Sequence, residues 1–327
     1  MSTSTSRRAF LQKSCAAMAA LPILGRRRRV ASVSAAAAPA RLLVGCRDAL
    51  LKNCGAADCW QGARAAGVEC LELTVGDDLA LAYFPHPTKK YSLDGSANIA
   101  QLAADAKAAG IRLTAILMSN KFDQRPDFEV EWLTKTARAA QALGIKAIRI
   151  DVVSRKKTEP AEFLKLSVDV LKRVMKAIEP TGVSLGVENH GRTTNDPDFL
   201  RKLFAGVGSP RLGLTLDTGN FYWFGHPLSK LYQLYETFAP RVVHTHCKSI
   251  RYPADQREQQ RPIGWEYAKY NCPVYEGDID FRRVASILKK AGYANDLCIE
   301  DESLSKFPEA ERAKVLARET QYLKGVA

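Results

Sequence analysis

Four side chains able to bind a cation close four successive apolar runs. Glu188 ends Val-Ser-Leu-Gly-Val-Glu, Asp217 ends Leu-Gly-Leu-Thr-Leu-Asp, His246 ends Val-Val-His-Thr-His and Glu300 ends Leu-Cys-Ile-Glu. The intervals between them are 29, 29 and 54 residues. A strand followed by a helix takes about 30 residues. The first two intervals are therefore one such unit each, and the third is one unit carrying a long insertion. Side chains at the carboxyl ends of neighbouring parallel strands converge on one open face. Three carboxylates and one imidazole gathered there would hold a divalent ion. An oxygen-rich set with a single imidazole suits Mn²⁺ first, with Mg²⁺, Co²⁺ or Zn²⁺ as alternatives, because structural zinc sites prefer Cys and His.

Each residue also has an ordinary explanation when taken alone. Glu188 at a strand end is as natural an N-cap or ion-pair partner, and Asp217 in Asp-Thr-Gly-Asn fits an Asx-turn equally well. Glu300 opens the acidic run Glu300-Asp301-Glu302, which by itself reads as a solvated loop. His244 and His246 are expected on different faces of their strand, one a ligand and the other a packed or hydrogen-bonded ring. Only the occurrence of all four on consecutive strands favours a shared site.

The elements that must position these residues follow from the apolar patterning. Short apolar runs at 41–45, 68–74, 112–118, 147–153, 184–188, 213–217, 242–246 and 297–300 read as strands buried on both faces. Amphipathic stretches at 97–109, 128–143, 161–178, 198–207, 228–238 and 281–291 lie between them, and a last helix is expected over 309–323. Gly110 and Gly144 stand where left-handed helix caps are wanted, and Pro160, Pro197 and Pro227 stand near helix starts. Strict alternation to a count of eight predicts an α/β fold, a single (β/α)8 barrel over residues 41–327. An open doubly wound sheet is disfavoured, since no Gly-rich dinucleotide or phosphate loop follows any strand. The long loop after strand seven, 251–276, is polar and carries Trp265, Tyr267, Tyr270 and Tyr275. It reads equally as a lid over the open face or as a surface excursion or subunit contact, which leaves a homo-oligomer open.

Residues 1–40 are a different kind of sequence. Ser6-Arg7-Arg8-Ala9-Phe10-Leu11, a short apolar stretch from Cys15 to Leu24 and a run of Ala and Ser describe a twin-arginine export signal, with cleavage expected around 35–40. The Tat export machinery is then a partner and the periplasm the destination. The apolar stretch is about half the roughly 20 residues that span a bilayer, so no stable membrane span is expected. The leader holds seven Lys/Arg and no Asp/Glu, so the formal charge of +13 falls to +6 without it. That remainder has no basic stripe interleaved with aromatics, and nucleic acid is not an expected partner. Eight cysteines, one in the leader, include no CxxC pair. A disulfide framework and a structural zinc site are both disfavoured, although Cys46, Cys54 and Cys59 lie close enough to allow one bridge.

Val-Glu-Asn-His-Gly, Leu-Asp-Thr-Gly-Asn, His-Thr-His-Cys-Lys, Gly277-Asp278-Ile279-Asp280-Phe281 and Cys-Ile-Glu together resemble the successive motifs of the xylose isomerase-like barrels. This is the sugar-phosphate isomerase/epimerase group, which also includes ketose 3-epimerases, inosose dehydratases and endonuclease IV. The resemblance runs from about residue 41 to the end. It implies a metal held by Glu188, Asp217, His246 and Glu300, and the His-x-Lys pattern selects His246 rather than His244. It also implies that Glu188 and Glu300 are catalytic, moving a proton on opposite faces of a sugar through an enediolate. Glu72, His190, Asn220, His244 and Lys248 are then candidates for contacts to substrate.

Two departures from the family pattern point to a different substrate. Asn220 stands where the epimerases usually have histidine, and His190-Gly191-Arg192-Thr193-Thr194 stands where they have a further glutamate. An exported protein suits a non-phosphorylated sugar or keto-sugar. The expected function is therefore a divalent-metal-dependent isomerase or epimerase of such a sugar, with a lyase or hydrolase of 3-keto-glycosides as the first alternative. A DNA-repair endonuclease would need a trinuclear zinc site rich in histidine, and the chain has five histidines in all. A carbohydrate-binding barrel without turnover is the remaining class.

Overall fold

The computed structural model describes residues 41–156 and 159–327. The export signal expected in residues 1–40 lies outside the described residues. The strands are β1 (Leu43–Arg47), β2 (Cys70–Thr74), β3 (Arg112–Leu117), β4 (Ala147–Ile150), β5 (Ser184–Glu188), β6 (Leu212–Asp217), β7 (Val242–His246), β8 (Ser249–Ile250), β9 (Asn271–Cys272) and β10 (Asp296–Ile299). Eight of them form one parallel sheet in the order β10-β1-β2-β3-β4-β5-β6-β7. A parallel bridge between Cys247 and Ile299 brings the last edge to the first, so the sheet closes into the expected barrel.

The helices are α1 (Cys59–Ala65), α2 (Ser96–Ala109), α3 (Pro126–Leu143), α4 (Pro160–Ala177), α5 (Pro197–Val207), α6 (Asn220–Trp223), α7 (Leu228–Phe238), α8 (Tyr267–Tyr270), α9 (Phe281–Lys290) and α10 (Glu309–Lys324). Gly110 and Gly144 close α2 and α3 with φ of 70° and 74°, a conformation a side chain would oppose. Pro160 and Pro197 open α4 and α5, where a missing N–H costs nothing. Helix α1 was not expected, because Gly62 interrupts a run only seven residues long. No helix of the described residues is long and apolar enough to cross a membrane.

Two register shifts aim side chains into the barrel. One residue too many on β7, Val243, lies between the pairs Leu214↔Val242 and Thr215↔His244. Gly186 and Gly213 make room for it: a Cβ on Gly213 would stand 2.1 Å from the Arg241 carbonyl oxygen and 2.8 Å from Val243 Cγ1, and one on Gly186 would stand 2.9 Å from Val243 Cγ2. The second shift leaves Thr114 unpaired between β2 and β3. Its hydroxyl donates inward to Asp296 Oδ2 at 2.6 Å.

The segment after β7 is built rather than loose. Strands β8 and β9 pair antiparallel, and α8 lies between them. Arg261 is buried between the rings of Tyr222 and Tyr252, 4.6 and 4.3 Å from their centroids. It donates to the carbonyls of Tyr222, His226 and Gln259. Backbone bonds from Arg261 to Gly225, Gly264 to Trp223 and Leu228 to Arg257 join the excursion to the turn that follows β6. Asp278 accepts from Tyr222 Oη and the Tyr252 N–H and pairs with Arg257, while Asp280 caps α9. The Gly-Asp-Ile-Asp-Phe motif is therefore the anchor of this segment. The seven cysteines of the described residues are all free thiols, so the bridge allowed by Cys46, Cys54 and Cys59 is not made.

Candidate metal centre and active site

Glu188, Asp217 and His246 end β5, β6 and β7, and Glu300 directly follows β10. One ligand atom from each lies within 4.8 Å of all the others, and all four residues are buried. His246 Nδ1 is central: it lies 3.1 Å from Glu188 Oε1 and 3.1 Å from Glu300 Oε2. Asp217 serves two purposes with its two oxygens. Oδ1 accepts from the Gly219 and Asn220 N–H groups at 2.8 and 2.7 Å, which is the Asx-turn. Oδ2 stays free of any well-directed hydrogen bond, as does Glu300 Oε2, although both are buried. Lys248 Nζ stands 3.2 Å from each of those two oxygens. Buried carboxylate oxygens that accept no aligned hydrogen bond, grouped around one imidazole nitrogen, are what a divalent cation requires of its ligands.

Arginines hold the outer oxygens of both glutamates. Arg149, from β4, donates through Nε to Glu188 Oε2 at 2.6 Å and through Nη1 to the Met118 carbonyl at 3.0 Å. Arg47, ending β1, pairs with Glu300 Oε1. Burial pushes the Glu188 carboxyl up, but Arg149 and His246 outweigh it and hold the group well below the usual range. Glu300 is likewise held low against burial by His246, Lys248 and Arg47. Asp217 goes the other way, raised by burial and by Glu300 and Glu188 beside it.

The five residues expected to contact substrate separate into two groups. Asn220 donates to Glu188 Oε1 at 3.3 Å, and Lys248 also pairs with Glu302 at 3.0 Å, whose other oxygen accepts from Tyr267 Oη at 2.6 Å. His190 stands at the rim with its side chain 41% exposed, its Nδ1 2.9 Å from Asp151. Burial lowers the His190 imidazole, but the Asp151 contact overcomes this and raises it. Glu72 and His244 are different: neither has any exposed surface, and each faces other side chains inside the barrel. Glu72 Oε2 lies 2.9 Å from His246 Nε2, and Glu72 Oε1 lies 3.1 Å from His244 Nε2. His244 and His246 were expected on different faces of β7. Residues two apart share a face, and both rings point into the barrel with centroids 5.4 Å apart. Asp296 Oδ1 lies 2.9 Å from His244 Nδ1. Burial lowers the His244 imidazole, but Asp296 and Glu72 outweigh it and raise the group to about 9.

The sequence pattern had not singled out Arg47, Arg149, Asp151 or Asp296. A signal existed for one of them, since Arg149 interrupts the apolar run Ala-Ile-Arg-Ile of a strand buried on both faces.

The xylose isomerase-like TIM barrel family model matches residues 60–325, nearly the whole described chain. The chain belongs to the xylose isomerase-like TIM barrel family. Among curated proteins, inosose isomerase of Bacillus subtilis (strain 168) is 26% identical over 195 residues, covering 58% of this chain and 66% of its own. The chain thus spans just under two thirds of that relative's length. Two solved structures share the fold. The IOLI protein with a bound zinc atom superposes with a TM-score of 0.62 at 17% identity, over 88% of this chain and 99% of the other. D-allulose 3-epimerase from Methylomonas sp. superposes with a TM-score of 0.61 at 18% identity, also over 88% and 99%. For this xylose isomerase-like barrel, the strand-end quartet on the carboxyl face is therefore the place to look for chemistry.

Proposed function

We propose that the protein is a divalent-metal-dependent isomerase or epimerase acting on a non-phosphorylated sugar or keto-sugar. The observation that carries this is that Glu188 and Glu300 each bring one oxygen to 3.1 Å from His246 Nδ1 while an arginine holds the other. Glu188, Asp217, His246 and Glu300 would hold the ion, Mn²⁺ by preference, and its Lewis acidity would acidify a C–H next to the sugar carbonyl. Glu188 and Glu300 would take that proton from one face and return it to the other. Arg149 and Arg47 keep each carboxylate ionised and fixed in direction while it does so. Lys248 and Asn220 offer N–H donors to the oxygen that gains charge. The names borne by similar proteins, inosose isomerase and D-allulose 3-epimerase, support this class of reaction.

The His190–Asp151 pair favours one alternative, a lyase or hydrolase of 3-keto-glycosides. An exposed imidazole oriented by a buried carboxylate is suited to protonate a departing oxygen. The two reactions separate when the Mn²⁺-loaded protein is incubated with ketoses and with 3-keto-glycosides in D₂O. Deuterium in an intact sugar is expected; a released aglycone would replace the isomerase reading by the second. Loss of turnover in Glu188→Gln and in Glu300→Gln is expected in either case; unchanged turnover would remove both glutamates from the chemistry, and a wild-type protein without turnover would leave a binding barrel.

Residues 1–40 are proposed to send the folded protein to the periplasm through the Tat machinery. Arg7→Lys with Arg8→Lys should leave it in the cytoplasmic fraction, and unaltered export would remove that address.

A further inference from the structure

Beneath the quartet runs a column of buried groups that the proposed chemistry does not use. It starts at Asp296, the first residue of β10, and climbs through His244 and Glu72 to His246. All four have no exposed surface. The base is fixed: besides His244, Asp296 takes a 2.6 Å hydrogen bond from Thr114 Oγ1 and one of 3.2 Å from Tyr293 Oη. Asp296 and Glu300 stand four residues apart on the same strand segment, about 13 Å at 3.3 Å per residue, so the column spans the barrel interior from one end to the other.

Its consequence lies in the imidazole at the top. A neutral histidine carries one N–H and one lone pair, and the hydrogen bond made by one nitrogen decides which the other offers. Glu72 Oε2 lies 2.9 Å from Nε2 of His246, while Nδ1 faces Glu188 and Glu300. We infer that Glu72, backed by His244 and Asp296, is a positioning residue that keeps the N–H of His246 on Nε2 and its lone pair on Nδ1, and so sets the affinity of the quartet for a divalent ion. The inference rests on the quartet being a metal site. It assigns Glu72 and His244 to the ligand rather than to the sugar. Glu72 Oε1 and His244 Nε2 are 3.1 Å apart without an aligned hydrogen bond, so charge attraction links them and the effect of His244 is the weaker one.

Zinc is a diamagnetic probe for the test. In the Zn²⁺-loaded wild-type protein, long-range ¹⁵N–¹H spectra of His246 should show a protonated Nε2 and a ligated Nδ1. Competition with a fluorescent chelator should find Zn²⁺ and Mn²⁺ bound about ten- to a hundredfold more weakly by Glu72→Gln, with smaller losses in His244→Gln and Asp296→Asn. A ligated Nε2 overturns the inference, and so does a folded Glu72→Gln with wild-type affinity. If Glu72→Gln fails to fold, the wild-type spectra and the other two variants decide. A wild-type protein that binds neither ion would instead sink the metal reading on which the inference stands.

Discussion

Asp217 shows how one residue satisfies two readings of its sequence. One oxygen closes the turn that Asp-Thr-Gly-Asn favours, and the other remains for a ligand. The spacing of strand-end residues was therefore enough to find the quartet. It could not find the residues that hold it: Arg47 and Asp296 lie at the ends of strands recognised by apolar content alone, and only Arg149, inside Ala-Ile-Arg-Ile, left a mark in the pattern. The same limit explains Glu72, which was expected to end its strand as a rim residue would but sits in the middle of β2, enclosed by His244 and His246. A pH prediction belongs here. His244 has a folded value of about 9, above the unfolded value of 6.5, so the stability it contributes is complete below about 6.5 and is lost as pH rises through 9. Urea midpoints of the metal-free protein should fall between pH 6.5 and 9, and His244→Gln should flatten that slope. An equally steep fall in the variant would assign the effect elsewhere.

At the level of elements, eight strands fell close to their expected positions because each is a continuous apolar run. Register was not legible. The extra residues Thr114 and Val243 sit within apolar strands, and only the glycines opposite Val243, at 186 and 213, hinted that a side chain would intrude there. The excursion at 251–276 was balanced between lid and surface loop, since its composition suits both. The contacts of Arg261 settle that it is tied down: removing the guanidinium leaves carbonyls of Tyr222, His226 and Gln259 without that donor. Each buried acceptor left unpaired costs about 1–3 kcal/mol. Arg261→Met should therefore lower stability by about 2 kcal/mol or more and speed proteolysis within 251–276. Limited digestion followed by mass spectrometry reads this directly, and an unchanged cleavage map would count against the anchor.

For the chain as a whole, closure of the barrel was predictable from the count of alternating units, and β10, paired with β1 and bridged to the end of β7, gives it. Gathering three buried carboxylates at one end has a thermodynamic consequence for the entire fold. A ligand that binds only the folded state adds about 2.7 kcal/mol when present at 100 times its Kd. Mn²⁺ at that excess should raise the melting temperature, and a chelator should reverse the change. Glu188→Gln with Glu300→Gln should abolish the shift, whereas a shift that persists would place the ion elsewhere.

The join between the excursion and the turn after β6 also limits how this barrel can be re-engineered. Arg261, Gly264 and Arg257 are hydrogen-bonded to Tyr222, Trp223, Gly225 and Leu228, in the stretch that begins with Asn220 beside the quartet. Transplanting a relative's excursion alone would sever those bonds. A chimera meant to change sugar preference must move residues 219–228 and 249–280 together, as one inherited cassette.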